Sequence, residues 1–400
     1  MHKIASGLLV LTITAGGWLV SSCQSSSRHE TVVRDTGYVN RKRAEALPAE
    51  VNYVPTGKEV VIPKNHDGGW YKPNLDQVKP GDVLVLEGYY AYINLDSLQG
   101  TKEKPITLRN KGRVWIGSDN SYAAIFSNCS HFIIDGGGDP GNKYGIVFGP
   151  LDVVNTPHID QGLTVSNSSN YEIKHVEIKH VQVGIFGNPP SGPTMRDIKI
   201  HDNWIHDLDN PKEGGRTEAM YLGNTNIFTV SNTAHFENIR IYNNLCENLS
   251  GDGIQLANGQ NYKIYNNVIR DYGKANLDDQ HTGILIGANG YGTIKNNTIQ
   301  DGTGSAIEVF GYSYNLVIGN TIRNTATSAN QPDAIYIEKK GMDGDPLQVD
   351  LFDNNIDGAT RNGIRNASNV KLGKPGLWKH NTVVNAQKEK YISLVDDVEE

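Results

Sequence analysis

The chain has 400 residues, 38% of them hydrophobic and 20% charged, with 43 glycines and a formal net charge of −7. That composition suits one sizeable domain with many tight turns. No run of Lys and Arg offers a surface that would track phosphates, which argues against a nucleic-acid binder but leaves room for a local basic groove facing an acidic polymer.

Residues 1–22 have a basic start at Lys3, an apolar run from Ile4 to Val20 and a small-residue end, the three regions of a secretory signal peptide. The stretch Val20-Ser21-Ser22-Cys23 resembles the bacterial lipobox. The resemblance implies cleavage before Cys23, a lipid on its sulfur as the sole membrane attachment and, with Gln24 next, an outer-membrane destination. Residues 23–50 are Ser-rich and then charged, too poor in large apolar side chains to bury much surface, and are expected to be a flexible tether. Residues 51–122 read as short strands, Val83-Leu84-Val85-Leu86 among them, and are expected to cap the first coil of a repeat array.

From 123 to 385 a unit N-N-x-I followed by G-I-x-L recurs. Aligned on Asn203, Asn244, Asn267, Asn297, Asn320, Asn354 and Asn381, the copies are separated by 41, 23, 30, 23, 34 and 27 residues. Apolar residues stand three before and two after each Asn, the pattern has period two, and no helical period competes. Wound from strands and turns, such copies stack in parallel about 4.8 Å apart. The Asn residues then form a buried ladder that satisfies turn backbone and neighbouring coils. Cys246 takes an Ile position and is expected to be a core thiol, with Cys129 too many coils away for a disulfide. Residues 386–400 are expected to be a tail.

Over roughly residues 80 to 385 the sequence resembles the right-handed parallel β-helix of the pectin-lyase-like superfamily, an all-β solenoid here of about ten coils with an N-terminal cap. The phrases KPGDVLVLEGYY and GTKEKPITLRNKG resemble the opening of chondroitinase B-like and alginate lyase-like enzymes. The resemblance implies a polysaccharide partner, most simply an acidic one cleaved by a lyase. An inverting glycoside hydrolase and a non-catalytic glycan-binding solenoid are the alternatives. The catalytic motifs of polygalacturonases and family-one pectate lyases are absent, and the Lys and Arg pair of chondroitinase B-like enzymes has no match. The fold carries over and the catalytic residues do not.

Insertions point to the site. They fall only at the two corners flanking the G-I-x-L strand and would wall that sheet into a trough. The variable residue of the strand faces outward, giving Phe186, Tyr221, Gln255, Leu285, Glu308, Tyr336 and Arg365 along the floor, with Phe310 and Glu338 two residues further on. Expected catalytic groups are Glu308, Glu338, Arg365, and His281 or Lys339 as base. Tyr221, Gln255, Tyr336 and Phe310 would position sugar rings, and Asp278 with Asp279 could hold Ca²⁺. The polar residues preceding each strand, Asp252 and Asp333 among them, are expected to bond turn backbone.

Overall fold

The computed structural model describes residues 53–64, 71–117, 121–152, 159–187, 193–209, 217–223, 236–288, 290–310, 313–328, 333–339, 346–369 and 373–399. The signal peptide, Cys23 and the tether lie outside these residues, and every described strand belongs to the unit Val54–Glu400. Among the described residues every strand pairing is parallel apart from one isolated antiparallel bridge in the Leu277–Gln280 turn, and there is no helix.

Three strand ladders run along the axis. One is an 11-stranded sheet from Ile93–Asp96 to Tyr391–Ser393 and contains the G-I-x-L strands from Gly184 to Gly363, whereas Gly145-Ile146-Val147-Phe148, which reads as an earlier copy, pairs in the other sheet. The other two hold the strands before and after the Asn corner, and they merge into 22 strands because Ile106–Ile116 runs through the corner without a break. Apolar positions of all three ladders point inward and fill one continuous core of Ile, Val and Leu, with Phe and Tyr more frequent near the N-terminal end. Half-buried Val60, Tyr71, Leu75 and Val78 pack on that core ahead of the regular coils, where a cap was expected.

The Asn ladder forms as its chemistry demands. Each Asn Nδ2 donates to the Oδ1 of the next at 2.9–3.0 Å, from Asn203 through to Asn381. The same amide bonds a backbone carbonyl of the coil below, and its Oδ1 accepts the backbone N–H of the Asn below: Asn297 binds Ile264 O at 3.0 Å and takes Asn267 N–H at 3.0 Å. The first letter of the N-N pair has a different task. Asp202, Asn243, Asn266, Asn296, Gly319, Asp353 and His380 all adopt φ between 53° and 67°, a left-handed turn that Asn, Asp and Gly tolerate best. A turn and a ladder residue, side by side, explain why this corner keeps a fixed length.

Two boundaries move. The strands Val83–Tyr90, Ile93–Asp96 and Ile106–Ile116 already belong to the ladders, so the solenoid begins well before residue 123. The expected tail also stays in the stack: Tyr391–Ser393 pairs with Asn362–Asn366, and Val398–Glu399 pairs with Leu377–Lys379. The alternation fades there, so the repeat pattern carried no sign of it. Cys129 and Cys246 are buried free thiols, and burial pushes Cys246 up to about 12.

Candidate active site

The floor row assembles in the expected register: Phe186 beside Tyr221, then Gln255, Leu285, Glu308, Tyr336 and Arg365, one per coil. Over its C-terminal half lies a cleft of about 350 Å³ lined by Asp278, Asp279, Thr282, Leu285, Glu308, Phe310, Tyr336, Glu338, Arg361 and Arg365. Arg361 and Arg365 also line an adjoining cavity of about 640 Å³ that adds Asn362, Gln387, Lys388, Glu389 and Ile392. Carboxylates crowd the first space, cations gather in the second, and two arginines stand on the boundary.

Glu308 is buried on the floor between Leu285 and Tyr336. Glu338 is half-buried and two residues beyond Tyr336 along the next strand, and the Tyr336 hydroxyl donates to its Oε2 at 2.7 Å. Burial, and then that bond to Glu338, push the phenol above its ordinary range, so it keeps its proton to donate. The Tyr336 ring meets Phe310 edge-on at 6.1 Å and the Arg365 guanidinium lies 5.8 Å from its centroid, which together fix its plane.

Arg361 is the part that sequence reasoning missed, together with the second task of Asp333. Arg361 donates Nε and Nη2 to the two oxygens of fully buried Asp333, at 3.0 and 2.6 Å. Arg365 Nη1 stands 3.9 Å from the same carboxylate. Asn362 adds its backbone and side-chain N–H, so Asp333 does bond turn backbone as expected and also aims two guanidinium groups at the cleft. The available signal was an Arg at each end of Arg361-Asn362-Gly363-Ile364-Arg365 beside a coil whose corner residue is Asp.

The structure does not bring every candidate together. His281 is only 2% exposed and does not line the cleft. It is packed so closely against Gly304 that a Cβ there would lie 2.2 Å from His281 Cδ2, and burial lowers its pKa. Lys339 is buried too, at the end of its strand, with its N–H donating to Ser368 Oγ at 3.0 Å. Both expected bases are therefore withdrawn from the cleft. Strand alternation explains Lys339, since Glu338 takes the outward place; His281 is turned away because the corner folds over the small residues of the next coil. Tyr221 and Gln255 keep their floor register but lie beyond the cleft lining, Tyr221 edge-on to Phe186 at 5.7 Å.

Asp278 and Asp279 are exposed on the cleft's edge, on the inserted corner. Among the described residues no group of three or more His, Cys, Asp or Glu converges as a metal site. Behind the floor, Asp252 is fully buried, accepts Thr282 N–H at 2.6 Å through Oδ1, and has no hydrogen-bond partner at Oδ2. Burial first, and then nearby Glu218, push its carboxyl well above the usual range.

The model of the right-handed β-helix region matches residues 154–275 and 226–389. The chain belongs to this family. No curated protein matches it in sequence. Among solved structures it is similar to an alginate lyase from Paenibacillus sp. str. FPU-7, with 16% identity and a TM-score of 0.51 over 71% of this chain and 93% of that one. It is also similar to a GH136 lacto-N-biosidase from Eubacterium ramulus, with 11% identity and a TM-score of 0.52 over 81% of this chain and 62% of the other. A DFA-IIIase from Arthrobacter chlorophenolicus A6 gives 13%, 0.50, 76% and 78% for the same quantities. At these identities the likeness is one of β-helix fold.

Proposed function

We propose that this chain hydrolyses a glycosidic bond of a polysaccharide, with Glu308 and Glu338 as the carboxyl pair. One observation carries the reading: both line the same cleft, one coil apart and two residues out of register. That offset puts their Cα atoms roughly 8 Å apart, from about 4.8 Å across the sheet and 6.7 Å along it. An inverting pair needs its carboxyl groups about 6.5–9.5 Å apart, to leave room for a water beneath the sugar. The water must come from solvent, which suits half-buried Glu338, steadied by Tyr336, as the base. Buried Glu308 would meet the glycosidic oxygen and protonate it as the bond breaks. Leu285 and Phe310 offer apolar faces to a ring.

A second reading, β-elimination on a uronic-acid polymer, is favoured by the cationic cavity at Arg361, Arg365 and Lys388. Arg365 would hold the uronate, and Asp278 with Asp279 would share Ca²⁺ with its oxygens. The withdrawal of His281 and Lys339 weighs against it, because the proton on the sugar's C5 then lacks its expected acceptor. The chain's place in the cell envelope is part of the proposal and rests on the lipobox-like stretch. Cys23→Ala should release the protein from membranes, and soluble fractionation with Cys23 intact would count against an anchor.

Incubation with a panel of neutral and uronic-acid polysaccharides, with and without EDTA, separates the readings. New reducing ends without ultraviolet absorbance support hydrolysis. Absorbing unsaturated ends support elimination, and their loss with EDTA supports Ca²⁺. Binding without cleavage of any polymer overturns both in favour of a glycan-binding solenoid.

A further inference from the structure

Lys199, Arg240 and Lys263 stand directly beside one another in successive coils of the ladder that precedes the Asn corner, a different sheet from the cleft floor. In the adjacent outward row of that ladder come Lys174, His201, Tyr242, Tyr265 and Lys295. Two carboxylates enter the two rows: Asp135, directly beside Lys174, and Glu172, which lies 2.7 Å from Lys174, 3.5 Å from Lys199 and 3.2 Å from His201. The other ring nitrogen of His201 meets Asp202 at 2.7 Å, and the next row out pairs Arg196 with Glu237 at 3.7 Å. Lys174 is buried between Glu172 and Asp135, and Asp197 is exposed two residues before Lys199, so the positive character of the strip comes from Lys199, Arg240, Lys263 and Lys295.

Like charges directly opposite one another across a ladder cost stability, and here three follow in line. Beside them the His201 and Tyr242 rings stack at 4.4 Å and Tyr242 and Tyr265 at 4.8 Å, within 8° and 1° of parallel. The parallel register sets Lys199, Arg240 and Lys263, each half-exposed, in a line with a spacing of about 4.8 Å. We propose that this strip binds a linear acidic polysaccharide laid along the solenoid axis, at a site separate from the cleft. A regularly charged chain matches a regular line of cations and relieves their repulsion. A single-stranded nucleic acid would need ring faces for its bases, and Tyr242 and Tyr265 are only 2% and 3% exposed. A bilayer would need apolar side chains to insert, which these two rows do not present. Composition alone could not reveal the strip, because Lys199, Arg240 and Lys263 are 41 and 23 residues apart in the chain.

The test is calorimetric titration of the full chain at low salt with polygalacturonate and chondroitin sulfate, whose anions are carboxylates in one and carboxylates with sulfates in the other. Neutral dextran, single-stranded DNA and anionic phosphatidylglycerol vesicles are the comparison probes. Binding of either charged polysaccharide is expected, weakening steeply with added salt. The variant Lys199→Gln/Arg240→Gln/Lys263→Gln should bind at least tenfold more weakly with its thermal midpoint unchanged or raised, whereas Lys102→Gln/Lys104→Gln, exposed and outside both sites, should retain the affinity. No binding of either polymer, stronger binding of DNA or vesicles, or an unchanged affinity in the folded triple variant would overturn the proposal. Loss of binding in Arg365→Ala alone would move the polymer to the cleft.

Discussion

Tyr336 and Glu338 sit on the same side of one strand, two residues apart, and the Tyr336 hydroxyl reaches back to Glu338 Oε2 at 2.7 Å. The pair makes the carboxylate a fixed part of the floor, because the phenol is itself held by Phe310 and Arg365. Tyr336→Phe keeps the ring and removes the donor. Its kcat should fall roughly tenfold to a hundredfold with little change in KM, as expected when a reacting group loses its orientation. Steady-state kinetics on the polymer identified by the panel check this, and an unchanged kcat would detach Glu338 from the chemistry.

Asp252 gives a dependence on pH that can be read without any substrate. Its carboxyl is raised in the folded chain, by burial and then by Glu218. A group raised by folding favours the folded state fully only below its unfolded value of about 3.9, and the advantage is lost as pH rises towards the folded value. Asp252→Asn retains an oxygen for Thr282 N–H and removes the ionisation. Its thermal midpoint should match wild type near pH 4 and exceed it by about 2 °C or more at pH 7. A difference that shrinks as pH rises would contradict the burial argument.

Asn297→Leu interrupts the ladder in the middle. Asn267 would lose the acceptor for both its backbone and side-chain N–H, and Ile264 O would lose a donor. Each buried group left unpaired costs about 1–3 kcal/mol, so a loss of about 3 kcal/mol or more is expected. Chemical denaturation measures it, and a loss below about 1 kcal/mol would mean that the corner is held by something else.

The ladders were legible because period two, the fixed Asn corner and the small residue before each inward aliphatic are all imposed by stacking identical coils. For the same reason the floor register from Phe186 to Arg365 could be read residue by residue. The wall residues could not. Whether His281 faces the cleft depends on how an inserted corner folds over Gly304, and no repeat dictates that. Arg361 was hidden because its role comes from a carboxylate 28 residues earlier, Asp333, whose place in a row of turn-bonding residues gave it a sufficient local explanation. The C-terminal end of the solenoid blurred where alternation weakens, at Tyr391–Ser393, whereas Ile93–Asp96 alternates but lies ahead of the first Asn corner.

The central claim is that Glu308 and Glu338 act together on one glycosidic bond. Glu308→Gln and Glu338→Gln, each checked for wild-type thermal unfolding, should be assayed for reducing-end release from the polymer that the wild-type protein cleaves. Each substitution is predicted to lower turnover by about 10²–10⁴-fold, the range set by loss of a general acid or base. Wild-type turnover in either folded variant would contradict the assignment.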